Sequence, residues 1–153
     1  MSGELSQSFK GKIGVITGST QGLGETVARL FAERSISGLV ICGRNESKGK
    51  HVAESITQAG CPTHYVSADL TRVKDCEKII QTADEQFGRI DCLVNCAAVT
   101  DRGTVLDTSP ELFDQMFALN TRAPFFMMQG ALRVMIREKI EGSIVNVQSM
   151  SAH

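Results

Sequence analysis

Residues 12–24 read Lys-Ile-Gly-Val-Ile-Thr-Gly-Ser-Thr-Gln-Gly-Leu-Gly, and this stretch decides the fold. Its first six residues are mostly apolar and β-branched, which predicts a short buried strand. Glycines follow at positions 18, 22 and 24, and Val27, Leu30 and Phe31 then recur at the spacing of one helix face. The stretch therefore predicts a strand, a tight turn and an amphipathic helix in direct succession.

The same alternation continues along the rest of the chain. Further strands are predicted at Leu39–Cys42, His64–Val66, Ile90–Asn95 and Ser143–Val147. Helices are predicted at about 46–59, at about 72–87, from Thr108–Glu111 onward, and again after Asn120. Five strands separated by helices predict a parallel sheet with right-handed crossovers and helices on both faces. We therefore expect an α/β fold with a doubly wound, Rossmann-like parallel sheet in three α/β/α layers, forming a single domain over residues 1–153.

Composition and charge exclude several classes of protein. With 42% apolar and 22% charged residues, the chain has the composition of a globular domain and not of a disordered one. Sixteen Lys and Arg against seventeen Asp and Glu leave a net charge of −1, so no basic field favours nucleic acid. No apolar run reaches signal-peptide or membrane-spanning length, which predicts a cytoplasmic protein without a membrane partner. Neither the five cysteines nor the three histidines have metal-ligand spacing, so we expect no metal.

The glycine turn is the first candidate binding feature. Gly18, Gly22 and Gly24 allow unusual backbone angles and a close approach of a ligand to the backbone. The helix that follows directs free N–H groups at that ligand, which favours a pyrophosphate. The G-x-G-x-x-G spacing and the Gly-Lys-Ser/Thr of a P-loop are both absent. A dinucleotide is favoured, and a purely structural turn is the alternative.

The second candidate feature follows the second strand. An NAD-binding protein normally has an acidic residue there for the ribose hydroxyls, about 20 residues beyond the turn. This chain has Gly43 and Arg44 instead. A guanidinium can form charge-assisted hydrogen bonds with a 2′-phosphate. NADP(H) is therefore predicted over NAD(H), and a solvated loop arginine is the alternative.

Five motifs in order resemble those of the short-chain dehydrogenase/reductase family, in its single-domain classical branch. Thr17-Gly18-x-x-x-Gly22-x-Gly24 is similar to the family's cofactor turn, and Asp69-Leu70 matches its adenine-contacting acidic position. Asn95-Cys96-Ala97-Ala98 resembles its Asn-Asn-Ala-Gly motif, with cysteine and alanine replacing the second and fourth residues. Asn120 matches its catalytic asparagine and Ser149 its catalytic serine. The resemblance runs from about Gly11 to Ser149.

This resemblance implies a function and a set of site residues. It implies hydride transfer between NADP(H), or alternatively NAD(H), and a small carbonyl or alcohol substrate, in a homo-oligomer of two or four chains. Ser149 would hydrogen-bond the substrate oxygen, and Asn120 would hold a water of the proton relay. The cofactor-binding residues would be Gly18, Thr20, Gln21, Gly22, Leu23, Gly24, Arg44, Asp69, Leu70, Asn95 and Ala97.

One part of the family's pattern does not occur in these residues. The family's general acid is the tyrosine of a Tyr-x-x-x-Lys pair beyond the catalytic serine, and the only tyrosine here is Tyr65, in a predicted strand. We therefore expect the domain to be truncated at its C-terminal end and the 153 residues alone to be inactive. A non-catalytic dinucleotide-binding or regulatory protein is the alternative, although keeping both Asn120 and Ser149 favours the enzyme.

Pro124 leaves two local structures open. It lacks an N–H and lies four residues after Asn120, so a helix running through both would leave the Asn120 carbonyl without its usual donor and able to hold a water. If a helix begins near Thr121 instead, Pro124 lies in its first turn, where the missing N–H has no effect.

Overall fold

A computed structural model describes residues 8–101 and 103–148. The strands are β1 (Ile13–Thr17), β2 (Gly38–Gly43), β3 (Thr63–Ser67), β4 (Cys92–Asn95) and β5 (Ser143–Asn146). The helices are α1 (Gly22–Glu33), α2 (Glu46–Gln58), α3 (Val73–Phe87), α4 (Pro110–Phe117) and α5 (Ala123–Arg137), with a π-helical turn at Ala118–Arg122. Elements therefore alternate in the predicted order.

The five strands form one parallel sheet in the order β3-β2-β1-β4-β5. In its register Val15 of β1 lies opposite Val40 of β2 and Leu93 of β4. The strand order reverses direction at β1, because the chain first adds strands on one side of it and then on the other. Ligands of such sheets bind beyond the carboxyl ends of the strands at this reversal. The predicted α/β fold with a doubly wound sheet is confirmed.

Helices cover both faces of the sheet because successive β1 residues point to opposite sides. Val15 belongs to an apolar cluster that includes buried residues of α3 and α5. Ile16 belongs to a second cluster with buried residues of α1 and α2. Both side chains are fully buried. The result is the predicted three-layer arrangement.

No helix within residues 8–101 and 103–148 has the length and apolarity required to span a lipid bilayer.

A buried carboxylate joins three of the strands on the side opposite the candidate site. Asp91, whose side chain is 2% exposed, accepts hydrogen bonds from the Ile13 N–H (2.9 Å) and from Arg89 Nε and Nη2 (2.9 and 2.7 Å). The Asp91 N–H donates to the Ile13 carbonyl, and its carbonyl accepts from the Ser143 N–H. Asp91 thus connects the starts of β1 and β5 to the segment that enters β4.

The helix predicted after Asn120 is α5, which begins at Ala123, but it continues directly from the helix before it. Ser109 Oγ caps α4 by accepting the Leu112 N–H (3.2 Å). The backbone then remains right-handed helical from α4 through the π-helical turn into α5. One helix therefore runs through both Asn120 and Pro124.

The π-helical turn lies where the missing N–H of Pro124 interrupts the α-helical pattern. The Ala123 N–H donates to the Ala118 carbonyl, five residues back instead of four. The wider turn lets the helix continue although the Asn120 carbonyl has no α-helical donor at Pro124. Of the two local structures that the sequence left open, the structure has the continuous helix.

Candidate dinucleotide-binding site

A cavity of about 490 Å³ opens at the carboxyl ends of the strands. It is lined by Gly18, Thr20, Gln21, Gly22, Leu23, Gly24, Gly43, Arg44, Asn45, Ala68, Asp69, Leu70, Thr71, Cys96, Ala97, Ala98, Gln115 and Leu119. Every predicted cofactor residue except Asn95 is in this set. Residues from five separate stretches of sequence therefore meet at the strand-order reversal, where the fold predicts a ligand.

The glycine turn is tight on one side and open on the other. Gly18 has a φ of +64°, and a Cβ added there would lie 2.8 Å from Ala97 Cα. Gly22 has a φ of +59°, and its added Cβ would meet nothing within 4 Å. A Cβ on Gly24 would collide with the Gly18 carbonyl. Gly18 and Gly24 thus allow close packing of the turn, whereas Gly22 faces the open cavity.

Two buried hydroxyl groups hold the turn on the sheet. Ser19 Oγ donates to the Ile16 carbonyl (2.6 Å) and accepts the Cys42 N–H (3.1 Å), which connects the turn to β1 and β2. Thr17 Oγ1 accepts the N–H groups of Cys96 and Ala97, each at 3.1 Å. The turn and the segment after β4 are therefore fixed relative to each other before any ligand binds.

Arg44 lies at the wall of the cavity, immediately after β2. Its side chain is exposed and forms no hydrogen bond or ion pair with any residue that the structure describes. It also borders a second cavity, of about 970 Å³, which is lined mainly by residues of α4, the π-helical turn and α5. The guanidinium is thus available to a ligand from two sides.

The peptide before Arg44 is held from β3. Tyr65 Oη donates to the Gly43 carbonyl (2.7 Å), and burial raises the pKa of Tyr65. The Tyr65 ring occupies the space where a side chain at position 49 would project, and Gly49 leaves that space free. Tyr65 therefore fixes the position from which Arg44 projects, a role that the sequence analysis did not assign to it.

Asp69 lines the cavity at the end of β3. Its Oδ1 accepts the N–H (3.0 Å) and the hydroxyl (2.8 Å) of Thr71. Its N–H donates to Asp75 Oδ2 (2.7 Å), the main cause of the lowered pKa of Asp75. No described residue donates to Oδ2 of Asp69. These hydrogen bonds fix the loop after β3, and Asp69 Oδ2 remains available to accept a hydrogen bond from a ligand.

Asn95 lies beneath the cavity and not on its wall. Its side chain is 4% exposed, and Nδ2 donates to Asn146 Oδ1 (2.8 Å) across β4 and β5. Its Oδ1 is buried and has no partner among the described residues. In this structure Asn95 links the ends of β4 and β5.

The two predicted catalytic residues have different outcomes. Asn120 lies in the π-helical turn, and its side-chain amide bonds to both backbone groups of Val99. Its carbonyl is the group that lacks a donor at Pro124. Ser149 lies outside the described residues.

Residues 8–101 and 103–148 contain no group of three His, Cys, Asp or Glu side chains placed to hold a metal ion.

The sequence profile of short chain dehydrogenases matches residues 12–153. The chain belongs to this family. The match covers nearly the whole sequence, including all five described strands and all the residues that line the cavity. The resemblance inferred from the five motifs is thereby confirmed.

Relatives with curated descriptions extend well beyond this chain. An uncharacterized oxidoreductase of Thermotoga maritima is 37% identical over 142 residues, which cover 93% of this chain and 55% of the relative. An L-rhamnose 1-dehydrogenase (NADP(+)) of Thermoplasma acidophilum is 30% identical over 145 residues, 95% of this chain and 57% of the relative. The chain thus spans little more than half the length of these relatives.

Solved structures show the same fold. A short-chain type dehydrogenase/reductase from Mycobacterium marinum superposes with a TM-score of 0.90 at 26% identity, covering 100% of this chain and 61% of the other. A metagenomic short-chain oxidoreductase in complex with NADP superposes with a TM-score of 0.86 at 28% identity, covering 94% and 64%. The β-sheet and helices described above are therefore those of the family.

Several cavity residues were not predicted from the sequence. Gln115 and Leu119 reach the cavity from α4 and the π-helical turn, far along the chain from the glycine turn. Cys96 is half-buried, and burial raises the pKa of its thiol. Of these three, Cys96 alone had a local signal, because it lies within the motif Asn95-Cys96-Ala97-Ala98. The positions of Gln115 and Leu119 depend on how the long helix packs over the strand ends.

Proposed function

We propose that this chain provides the cofactor-binding part of an NADP(H)-dependent short-chain oxidoreductase that transfers hydride between nicotinamide and a carbonyl or alcohol. The observation that carries the cofactor preference is Arg44, at the cavity wall where an NAD-binding protein normally has an acidic residue. The homo-oligomer and the single domain that the sequence predicts remain part of the same proposal.

The cavity fits a dinucleotide in three respects. Gly22 leaves open space beside the first turn of α1, whose free N–H groups favour a pyrophosphate. The unbonded Oδ2 of Asp69 can accept a hydrogen bond from an adenine amino group. Arg44 can form charge-assisted hydrogen bonds with a phosphate on the ribose. Each feature belongs to a different element, and all of them line one cavity.

A bound nicotinamide cofactor would supply the hydride, and the chain would supply binding and orientation. Ser149 would hydrogen-bond the substrate oxygen, and the carbonyl of Asn120 would hold a water of the proton relay. The hydrogen bonds between Asn120 and Val99 fix this carbonyl relative to the segment after β4. Holding groups in a fixed geometry lowers the barrier to reaction, because the entropy of ordering is lost before the chemical step.

The comparisons support this choice of cofactor. The Thermoplasma acidophilum relative is named for NADP(+), and the metagenomic structure was solved with NADP. Neither name defines a substrate for this chain. The substrate class therefore rests on the family alone.

The test is to measure NADPH and NADH affinity by fluorescence titration, for the unaltered chain and for Arg44→Ala. We expect the unaltered chain to prefer NADPH and Arg44→Ala to lose about tenfold or more in NADPH affinity, since hydrogen bonds to charged groups contribute about 1.5–3 kcal/mol. NADH affinity should change little. Arg133→Ala, which removes an exposed arginine of α5 that lines neither of the two cavities described, is the matched control.

Two results would contradict the proposal. Binding of neither dinucleotide by the unaltered chain would place the cofactor site elsewhere. An unchanged NADPH to NADH ratio in Arg44→Ala would remove Arg44 from the specificity site, even if the cavity binds both cofactors.

A further inference from the structure

A second cation reaches the glycine turn from α2. Lys48 Nζ donates a hydrogen bond to Gln21 Oε1 (3.1 Å), although the two residues are 27 positions apart. Gln21 lines the cavity next to Gly22, and its side chain does not cap α1. The contact therefore places an ammonium group beside Gln21 of the cavity wall, although Lys48 itself is not among the residues that line the cavity.

The charge of Lys48 is not neutralised by the described part of the protein. No carboxylate in residues 8–101 and 103–148 forms an ion pair with Lys48 or Arg44. Lys50, two residues further along α2, differs because its Nζ pairs with Glu46 Oε1 at 2.7 Å. Arg44 and Lys48 belong to the same short stretch of chain and have no counter-ion among the described residues, so an anion bound between them would be attracted by both charges.

The backbone of this region is built to hold Lys48 in place. Asn45 caps α2 by accepting the Lys48 N–H at Oδ1 (2.9 Å), so the first helical turn is well defined. The start of this 13-residue helix also carries a positive partial charge. Arg44 and Lys48 lie on either side of the Asn45 cap. Both side chains therefore project from a fixed backbone.

We propose that Lys48 is a second specificity-determining residue, which binds the 2′-phosphate of NADP(H) together with Arg44. This inference rests on the proposed function and assigns a residue that neither the motifs nor the comparisons indicate. Gln21 holds the ammonium beside the cavity wall through a neutral amide oxygen, a partner that a phosphate displaces readily because charge-assisted hydrogen bonds are stronger. Arg44 supplies a planar pair of donors and Lys48 a compact charge.

The experiment uses nucleotides that differ at the ribose 2′ position. Adenosine 2′,5′-bisphosphate and adenosine 5′-monophosphate are titrated by calorimetry into the unaltered chain, Lys48→Gln, Lys48→Arg and Lys50→Gln. We expect Lys48→Gln to weaken the bisphosphate about tenfold and the monophosphate less than twofold. Lys48→Arg should restore most of the affinity, because it keeps the charge. Lys50→Gln removes the same charge from the same helix and should change neither.

Salt dependence gives an independent readout. Loss of one cation that touches the phosphate should reduce the steepness with which bisphosphate affinity falls as salt rises, since exposed charges are screened. Lys50→Gln should keep the slope of the unaltered chain.

The outcomes separate this inference from the proposed function. If the unaltered chain prefers the bisphosphate and Lys48→Gln keeps that preference, Lys48 has no role and the NADP(H) proposal stands. Equal losses of bisphosphate affinity in Lys48→Gln and Lys50→Gln would show that the effect depends on net charge alone, and would overturn the inference. If the unaltered chain binds both nucleotides equally, or neither, the proposed cofactor preference and this inference both fail.

Discussion

The side-chain amide of Asn120 forms two hydrogen bonds with the backbone of Val99. The Val99 N–H donates to Asn120 Oδ1 (3.0 Å), and Asn120 Nδ2 donates to the Val99 carbonyl (2.8 Å). Asn120 therefore fastens the π-helical turn to the segment that follows β4, and this segment includes Ala97 of the cavity wall. The side-chain amide of Asn120 is thus engaged in a structural contact, whereas its backbone carbonyl has no α-helical donor at Pro124.

Replacing Asn120 with alanine should release the segment around Val99. Two neutral hydrogen bonds at an exposed site contribute on the order of 1–2 kcal/mol together, so we expect the free energy of unfolding to fall by that amount. Hydrogen exchange at the Val99 amide should become faster, because its acceptor is gone. Urea unfolding and amide exchange measure the two effects.

Thr121→Ala is the matched control for this prediction. Thr121 is the next residue of the same turn, is exposed, and has no side-chain hydrogen bond among the described residues. A Val99 amide that stays protected in Asn120→Ala would show that the two hydrogen bonds do not hold this segment.

The substitution Gly22→Val should abolish dinucleotide binding while the fold persists. Gly22 faces open space in the cavity, so a branched side chain there would occupy the volume of the pyrophosphate. The positive φ of +59° adds strain of about 1–2 kcal/mol, which lowers stability without unfolding a typical domain. NADPH titration and thermal unfolding test the two effects separately.

Gly88→Val controls for the strain. Gly88 has a φ of +67° at the end of α3, has nothing within 4 Å of an added Cβ, and does not line the cavity. The Gly88→Val variant should lose stability to a similar extent as Gly22→Val and keep its affinity for NADPH. Binding that survives in Gly22→Val, or is lost equally in Gly88→Val, would contradict the assignment of the turn.

Asp91 should make stability depend on pH in the acid range. Burial alone raises the pKa of this carboxyl, but the hydrogen bonds from Arg89 and the Ile13 N–H, with the charges of Arg89 and Lys12, lower it overall. The Asp91 carboxyl therefore holds its proton less tightly in the folded state than in the unfolded state, where it titrates near pH 4. This contribution is complete above that pH and is lost as the pH falls through the lowered folded value.

Asp91→Asn tests this relationship by urea unfolding at pH 7 and pH 3. At pH 7 the variant should be less stable by about 1.5–3 kcal/mol, the range for hydrogen bonds to charged groups. The difference between variant and unaltered chain should shrink at pH 3, because the unaltered carboxyl begins to protonate. Asp114→Asn, which removes an exposed carboxylate of α4, should show no such change. A difference that is constant with pH would mean that Asp91 acts through packing alone.

The sequence determined the order and type of the elements because their signals are local. Apolar β-branched runs such as Ile13–Thr17 are typical of buried strands. The glycine turn at 18–24 lies between a strand and a helix, and this position favours dinucleotide binding. The parallel sheet with helices on both faces also followed, since strands joined by helices form right-handed crossovers. That is why most of the predicted cofactor residues meet at one cavity: the ends of parallel strands share one edge of the sheet.

Only the tertiary structure decided which contacts those residues form. No local pattern shows that Tyr65 holds the Gly43 carbonyl, that Lys48 reaches Gln21, or that the Asn120 amide is engaged by Val99. Each is a contact between residues more than 20 positions apart, and its geometry depends on how helices pack on the sheet. The helix through Pro124 is the clearest case, because proline favours a helix start in isolation. Packing of α5 against the sheet keeps the helix continuous, and a π-helical turn accommodates the missing N–H.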